Sequence, residues 1–540
     1  MNFIEEKILK KGTKNLVTRF PPEPNGHIHI GHIKSCVLNY GLVEKYNGKC
    51  ILRFDDTNPL AEETIYVDSI IEDLKWMGFD VDEITYASDY FIDIINICKQ
   101  MILSGDAYVD FSTSEEIANN KGTPTTHGTN SPYRNVGFLE NRDIFDKMIS
   151  GEITNAVVRA KIDMASDNML MRDPVIMRCI SEPHHRTGDK FNVYPMYDLA
   201  HPLCDWLEDI SESLCTLEFE VHRPLYEWVI KFMSMVDSFG VGINIPEQTE
   251  FNRLNITNNI LSKRKIKELI DNKLVSGWDD PRLLTVKGLR RRGYTPDSLK
   301  VFCEKAGWTK RNSLTDYKLL EACLREELNK SANRYMGVID PIKLTITNWD
   351  KDVEWVVVDN NPEDGSAGNR TVAFNGQLYI ERDDFKPEVN KKYNRLTLGG
   401  EVRLKGGYVV KAVSYDEDDY ANVTEVFCTY DPLTKSGMPM ERKVKGTIHW
   451  VARDYAVDAE IRDYGLLFND EKVDDNSEIN PESLVMRKAY VELDCLNLYN
   501  NPTLLSAPIQ FMRKGYYILD KDSTDEKLVF NKTVSLKEGW

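Results

Sequence analysis

No stretch of this 540-residue chain reaches 18 consecutive apolar residues, so no membrane-spanning helix is expected. Residues 1–15 mix acids and bases without the apolar core of a secretory leader, so no leader is expected either. Cysteine is sparse: 10 residues, no C-x-x-C pair, and no Cys/His spacing that suggests zinc. That usage fits reduced thiols in a cytoplasmic protein and gives no sign of a resident metal. Positive charge is also in deficit. Lys and Arg number 68 against 86 Asp and Glu, a net charge of −18. Capture of nucleic acid by overall charge is thereby excluded, and only local basic patches remain. One such patch is Val286 to Arg311, where eight Lys/Arg (among them Arg290, Arg291 and Arg292) face only Asp297 and Glu304, a local net of +6. No repeat of 20–50 residues is visible. The length and a 41% hydrophobic content suffice for several ordinary domains.

The first hundred residues alternate short apolar runs with helical periodicity. Leu16 to Phe20 and Cys50 to Phe54 read as buried strands. Ile33 to Tyr46 reads as a helix ending near Asn47-Gly48, and Ile65 to Met77 as one ending at Gly78. Strand, turn and helix in repetition predict a doubly wound parallel sheet, in which ligands gather at the carboxyl ends of the strands. From 98 to 190 the pattern turns irregular and loop-rich, as expected of an inserted domain. Tyr194 to Asp198 reads as a resumed strand, and helical patterns run on through Val236. Ile266 to Leu328 is helical in period. Beyond Ile339, short strand candidates follow one another (Lys343 to Thr347, Val402 to Lys405, Lys443 to Ile448, Leu528 to Phe530), with turns at Gly399-Gly400 and Gly406-Gly407. These predict antiparallel β-barrels, whose mutual boundary stays open because their strands can interleave.

Three motifs carry chemistry. After Pro-Pro-Glu-Pro-Asn-Gly, His29 and His32 arrive three residues apart where a helix begins. That spacing puts both imidazoles on one face of a first turn, and a helix N-terminus favours phosphate. An H-x-x-H pair alone is as readily two capping histidines. Leu261-Ser262-Lys263-Arg264, after Asn258-Asn259, reads as a mobile basic loop able to neutralise polyphosphate, or as a plain solvated turn. Asp55-Asp56-Thr-Asn-Pro59 ends a strand with carboxylates suited to an ammonium or to magnesium, or with an Asx-type turn.

Together these strings resemble the two signatures of class I aminoacyl-tRNA synthetases: His29-Ile-Gly-His32 in full, and Leu261-Ser-Lys-Arg264 with Leu261 where Met is usual. The blocks Arg19 to Ser35, Leu52 to Pro59, Tyr194 to His201, Ser213 to Phe219, Gly277 to Gly293 and Gln510 to Tyr516 look like the glutaminyl-tRNA synthetase family. The resemblance runs from about residue 15 to the end. It implies a Rossmann-type catalytic domain in two halves (1–97 and 191–255), an inserted acceptor-stem-binding domain (98–190), a helical subdomain (256–337) and two anticodon-binding barrels (338–540).

It also implies a monomeric, cytoplasmic enzyme that activates L-glutamine with ATP and magnesium, then transfers it to the terminal ribose of its tRNA. By resemblance His29, His32 and Lys263 are the catalytic residues. Glu23, Pro24, Asn25, Ile30, Gly31, Ile33, Lys34 and Ser35 line the ATP site with the histidines. Thr216, Arg253, Leu254, Leu261 and Ser262 complete that site. Asp55 takes the substrate ammonium, Arg19 lies near its carboxylate, and Tyr197, His201, Cys215 and Gln248 surround the side-chain amide. Relatives specific for glutamate tend to carry Arg where this chain has Cys215. Arg334, Arg395, Arg403, Gln510 and Arg513 are the expected anticodon readers. The resemblance leaves two alternatives, a glutamyl-tRNA synthetase of eukaryotic or archaeal type and a non-catalytic tRNA-binding paralogue. Departures are His27 in place of an aromatic such as Tyr, Val221 within Leu217 to His222, and Asn394 where a Lys often precedes the arginine. These put in doubt detailed tRNA contacts, not the reaction class.

Overall fold

The computed structural model describes residues 3–13, 15–60, 62–236, 244–388, 393–440 and 442–537. They divide into two compact units, residues 1–255 with 303–315, and residues 256–302 with 316–540.

The first unit is built on parallel strands. β1 (Val17–Phe20), β2 (Lys49–Phe54) and β3 (Ile84–Tyr86) lie side by side and parallel. Helices α2 (Ile30–Tyr46) and α3 (Thr64–Trp76), following α1 (Phe3–Lys11), make the crossovers between them. A second parallel pair, β8 (Glu212–Thr216) with β9 (Glu247–Phe251), joins at the other side. There Ser211 donates its backbone N–H to the Val17 carbonyl at 2.9 Å. The ends of β1 and β2 are buried on both faces, as a parallel sheet sheathed by helices requires. One face packs Ile4 and Ile8 of α1, spaced four apart, against Leu38, Leu42, Leu214 and Phe251. α2 ends in a left-handed Asn47 (φ 51°) followed by Gly48, whose N–H reaches Val43 at 2.8 Å. A Cβ on Gly48 would sit 2.3 Å from the Leu16 carbonyl, so only glycine fits where the chain turns back into β2.

Helix α4 (Phe91–Ser104) leads into four strands β4 (Ala107–Asp110), β5 (Val157–Ala160), β6 (Val175–Cys179) and β7 (Val193–Pro195), all antiparallel in that order. Between β4 and β5 lie α5 (Ser114–Asn120) and α6 (Phe138–Ser150). The strand expected at Tyr194 to Asp198 therefore differs in place and length. It pairs with β6 instead of resuming the parallel sheet, and it stops at Pro195 because Met196, whose N–H still reaches the Ile176 carbonyl at 2.8 Å, is the N-cap of the next helix. Tyr197 already opens α7 (Tyr197–Leu207), and α8 (Arg223–Met235) follows β8. Val109, Val158, Ile176, Leu203 and Val229 share one core with Phe91 and Phe145. Full burial of each such aliphatic contributes roughly 1.5–3 kcal/mol.

In the second unit, helix α9 (Lys263–Asp271) and helices Val286–Arg292 and Tyr317–Ser331 precede two seven-stranded sheets. The barrel-like sheets are present as expected, but each is mixed. Pro341–Ile346 runs parallel to Val423–Asp431, and Ala456–Tyr464 parallel to Leu528–Ser535. The reason is connectivity. Arg334–Tyr335 and Gly337–Ile339 pair within the sheet formed otherwise by residues 456–535, so the chain begins one sheet, builds the other, and returns. Of Lys443 to Ile448 only Thr447–Ile448 is strand. Gly399 and Gly406 both sit at φ 72°, a left-handed turn conformation.

Candidate active site

The extended Pro-Pro-Glu-Pro segment leaves β1 and delivers His29 to the N-cap of α2. The helix starts at Ile30, three residues earlier than the apolar periodicity indicates. His29 is thus a cap, not a first-turn residue. Its Nδ1 accepts from the Gly31 N–H at 3.1 Å, while His32 Nδ1 accepts from the His29 N–H at 3.1 Å. This reciprocal cap occupies both Nδ1 lone pairs and so puts the ring proton on Nε2 of each imidazole. The rings lie 3.9 Å apart between centroids. Capping and phosphate contact are therefore compatible: each ring is fixed in the tautomer whose Nε2–H is a donor. Of the other expected ATP-site residues, Ile30 and Ile33 are fully buried. Lys34 is buried too, its ammonium 3.0 Å from the Asn252 carbonyl, and burial lowers its pKa to about 8. Glu23 accepts from the Asn25 amide at 2.6 Å. Thr216 donates to Glu218 at 3.3 Å, and Arg253 pairs with the same Glu218. Leu254 is buried.

Of the residues expected around the amino acid, Arg19, Asp55 and Cys215 lie at the carboxyl ends of β1, β2 and β8, Tyr197 and His201 on α7, and Gln248 near the start of β9. Asp55 leaves β2 with Oδ1 accepting from Arg53 Nε at 2.9 Å. Arg53, fully buried, also reaches Asp205 (2.9 Å) and Glu208 (2.8 Å). Asp205 accepts in addition from Arg19 Nε (3.1 Å), Ser213 Oγ (2.6 Å) and Tyr226 OH (2.9 Å), and lies 3.0 Å from His201 Nε2. Burial alone would raise the Asp205 carboxyl; Arg19, His201 and Arg53 outweigh it and hold it well below the usual carboxylate range. Arg19 spends its remaining donors on the Leu214 carbonyl (2.8 Å), Ser213 Oγ (2.7 Å) and His201. At 1% exposure it acts as a fixed buried cation and not as a side chain reaching into solvent. Sequence reasoning missed Asp205, Arg53, Glu208, Ser213 and Tyr226. One signal was available: Tyr197, His201 and Asp205 recur every four residues along α7, a polar row on a helix otherwise buried by Leu199, Leu203 and Trp206.

Tyr197 stacks beside His201 (5.1 Å) and Phe219 (5.3 Å). Burial first, and the charge of Asp55 second, push its phenol up, so it stays a neutral donor. Across β8 and β9, Ser213 pairs with Gln248 and Cys215 with Glu250. Gln248 commits its amide nitrogen to the Phe219 carbonyl and to Glu250 Oε1, both at 2.9 Å. It therefore offers its carbonyl oxygen as an acceptor. Glu250, itself buried, is neutralised by Arg223. Burial pushes the Cys215 thiol up to about 12, leaving it uncharged.

Leu261, Ser262 and Lys263 belong to the second unit. Two expectations change there. Asn258 and Asn259 do not form a loose stretch: the Asn258 amide donates to the carbonyls of Phe468, Asn469 and Asp470 at 3.2–3.3 Å, and that of Asn259 to Arg282 at 3.1 Å. Lys263 is the first residue of α9, with Ser262 at its N-cap. The basic stripe is also partly spent. Arg291 forms a bidentate pair with Asp520 (2.8 and 2.9 Å), and Arg292 is buried against Tyr464. The expected anticodon readers fall into three places. Arg395 and Arg513 share Asp384 and line one cavity with Lys386, Tyr393 and Lys445. Arg334 and Gln510 are neighbours across adjacent parallel strands. Arg403 lies apart, donating to the Thr434 carbonyl at 2.8 Å.

Among the departures, Val221 is exposed, and His27 packs edge-on to Tyr66 while its Nδ1 lies 2.6 Å from Ser69 Oγ. Among the described residues no helix is long and apolar enough to cross a membrane.

Comparison with known proteins adds the following. Residues 15–330 match the class I tRNA synthetase (E and Q) catalytic domain, and residues 332–431 and 447–520 match two anticodon-binding domains of the same family. A glutamine–tRNA ligase of Rhodopirellula baltica is 49% identical over 97% of this chain and 87% of its own length. Those of Aliivibrio salmonicida and Clostridium perfringens are each 47% identical over the whole of this chain and 98% and 97% of theirs. A solved glutamate–tRNA ligase from Elizabethkingia meningosepticum matches 59% of this chain and 70% of its own at 18% identity, with a TM-score of 0.44.

Proposed function

The chain belongs to the class I (E and Q) tRNA synthetases, and from that premise we propose that it is a glutamine–tRNA ligase using ATP, with magnesium, L-glutamine and the glutamine tRNA. The glutamine carboxylate attacks the α-phosphorus in line and pyrophosphate leaves. A hydroxyl of the terminal ribose then attacks the adenylate's carbonyl carbon, and AMP leaves. The enzyme's part is to position the reactants and to stabilise charge on the phosphoryl oxygens. His29 and His32 donate Nε2–H to phosphate, and Lys263 supplies a cation. Magnesium would arrive with the nucleotide and would supply charge that offsets that of the phosphates.

One observation carries the choice of glutamine. The Gln248 amide nitrogen is already bonded to Glu250 and to the Phe219 carbonyl, so its remaining oxygen is an acceptor. An acceptor suits the N–H groups of a side-chain amide and repels a carboxylate. The uncharged Cys215 beside it provides no cation for glutamate. Asp55 takes the α-ammonium, and the fixed Arg19–Asp205–Arg53 cluster holds the floor of the pocket. Arg395 and Arg513 in their shared cavity, with Arg334, Arg403 and Gln510, read the anticodon. We place the protein in the cytoplasm, as a monomer.

The experiment that tests catalysis is exchange of labelled pyrophosphate into ATP. Exchange is expected only when glutamine and tRNA are both present. tRNA binding without exchange would establish the paralogue reading instead.

A further inference from the structure

Asp55 can hold an ammonium only if its carboxylate is aimed, and the first unit contains a device that aims it. This inference rests on the role given to Asp55 above. The loop after β2 is pinned at both of its aspartates. The Asp55 N–H donates to the Pro22 carbonyl at 3.2 Å and the Asp56 N–H to that of Phe54 at 2.9 Å. The Asp56 carboxylate is fully buried. Its Oδ1 accepts from the Ser88 N–H (2.8 Å), and its Oδ2 from Ser88 Oγ (2.7 Å) and His185 Nε2 (3.2 Å). The Asp56 carbonyl accepts from His184 Nε2 at 2.8 Å. Arg186 closes the arrangement: Nη1 donates to Ser88 Oγ (2.6 Å) and Asp89 (2.9 Å), and its guanidinium lies 3.6 Å over the Tyr86 ring. From β6, Arg178 donates to Asn58 Oδ1 at 3.2 Å. His184, His185 and Arg186 lie between β6 and β7, so the grip on this loop comes from the inserted antiparallel sheet.

The donor atoms of Asp56, His184 and His185 lie within 4.8 Å of one another, a spacing that also invites a metal. The hydrogen bonds argue otherwise. His184 Nδ1 accepts from the N–H groups of Arg186 and Thr187, both at 3.2 Å, so the proton sits on Nε2 and is given to the Asp56 carbonyl. Neither ring nitrogen of His184 has a lone pair left for a cation.

We propose that His184, His185 and Arg186 are positioning residues, a clamp by which the inserted sheet locks Asp56 and so holds the Asp55 carboxylate toward the substrate ammonium. Asp55 Oδ1 is taken by Arg53, which leaves the other oxygen for the ligand. Without the clamp, Asp56 is free to turn its charge toward the same pocket and Asp55 loses its fixed direction.

The test is steady-state charging by His185→Ala, His185→Gln and Ser88→Ala, with KM measured for the amino acid, ATP and tRNA, and with the inhibition constant of glutaramic acid, which is glutamine without its ammonium. For His185→Ala the amino-acid KM is expected to rise about tenfold, the loss of one hydrogen bond to a charged group. The KM values for ATP and tRNA, and the glutaramic acid constant, are expected to stay within about twofold. His185→Gln, which keeps an N–H donor, restores most of the loss. Ser88→Ala, a smaller change, moves the same constant alone and serves if His185→Ala is too unstable to assay. An unchanged amino-acid KM overturns the clamp, as does an equal change in every constant or an equal weakening of glutaramic acid. If the wild-type protein charges glutamate, the function proposed above fails; the clamp is then judged by the glutamate KM, because both amino acids carry the same ammonium.

Discussion

Lys263→Ala is expected to slow amino-acid activation by about 10²–10³-fold, roughly 2.7–4 kcal/mol of barrier, the effect of removing one preorganised charge donor from developing phosphoryl charge. Lys263 opens α9, where the helix N-terminus adds its own positive end to the ammonium. Nearby, Lys265 pairs with Asp475, and Lys267 with Asp271 at 2.7 Å. The segment before it is tied by the Asn258 and Asn259 amides, and Ile266 anchors the helix in a core with Leu283 and Phe468. The substitution therefore removes a charge from an element that these other contacts hold in place. Single-turnover pyrophosphate formation measures the loss, and filter binding measures tRNA affinity, which is expected to stay within about twofold. A matching loss of tRNA affinity would move Lys263 from chemistry to docking.

The second large effect is expected on stability. Asp205→Ala leaves Arg19 and Arg53, both fully buried, without their shared carboxylate. Removing one partner of such a cluster costs about 3–5 kcal/mol, because the remaining charges cannot be resolvated. Denaturant unfolding followed by tryptophan fluorescence is expected to show this loss. The pH dependence has a definite sign. Asp205 is held below its unfolded value, so its contribution is complete above the unfolded carboxylate pKa of about 3.9 and is lost as pH falls below that. The wild-type protein is thus expected to lose stability below about pH 4 more steeply than Asp205→Ala does. A variant as stable as the wild type would show that the cluster does not hold the pocket floor.

Much of the fold was legible because it follows from local pattern. β1, α2, β2 and α3 were each placed within three residues, since period and turn chemistry agree there. Pairing partners were not legible. Nothing local says that Val193–Pro195 joins the inserted sheet, or that Arg334–Ile339 starts the sheet that residues 456–535 finish, because these are long-range choices of edge and register. The site divides likewise. His29, His32, Asp55 and Tyr197 stood out as motif residues, and the structure gives them defined geometry. Asp205 and Arg53 sit inside apolar runs and Glu250 in a polar strand, and their importance comes from partners 27 to 186 residues away. The stripe from Val286 to Arg311 is smaller than its sequence count for the converse reason. Charge counted along a sequence takes no account of Asp520 closing on Arg291 from the far end of the chain.

Selection of a side-chain amide is assigned to the acceptor oxygen that Glu250 and the Phe219 carbonyl orient on Gln248, with an uncharged Cys215 in place of a cation. Its most direct test is charging of total tRNA by the purified protein with labelled glutamine or labelled glutamate, each at saturation. Glutaminyl-tRNA is expected, with glutamate charged at under about 1% of that rate, the discrimination expected when a substrate carboxylate meets the Gln248 acceptor oxygen in place of a donor. Glutamyl-tRNA formed at a comparable or higher rate would contradict it.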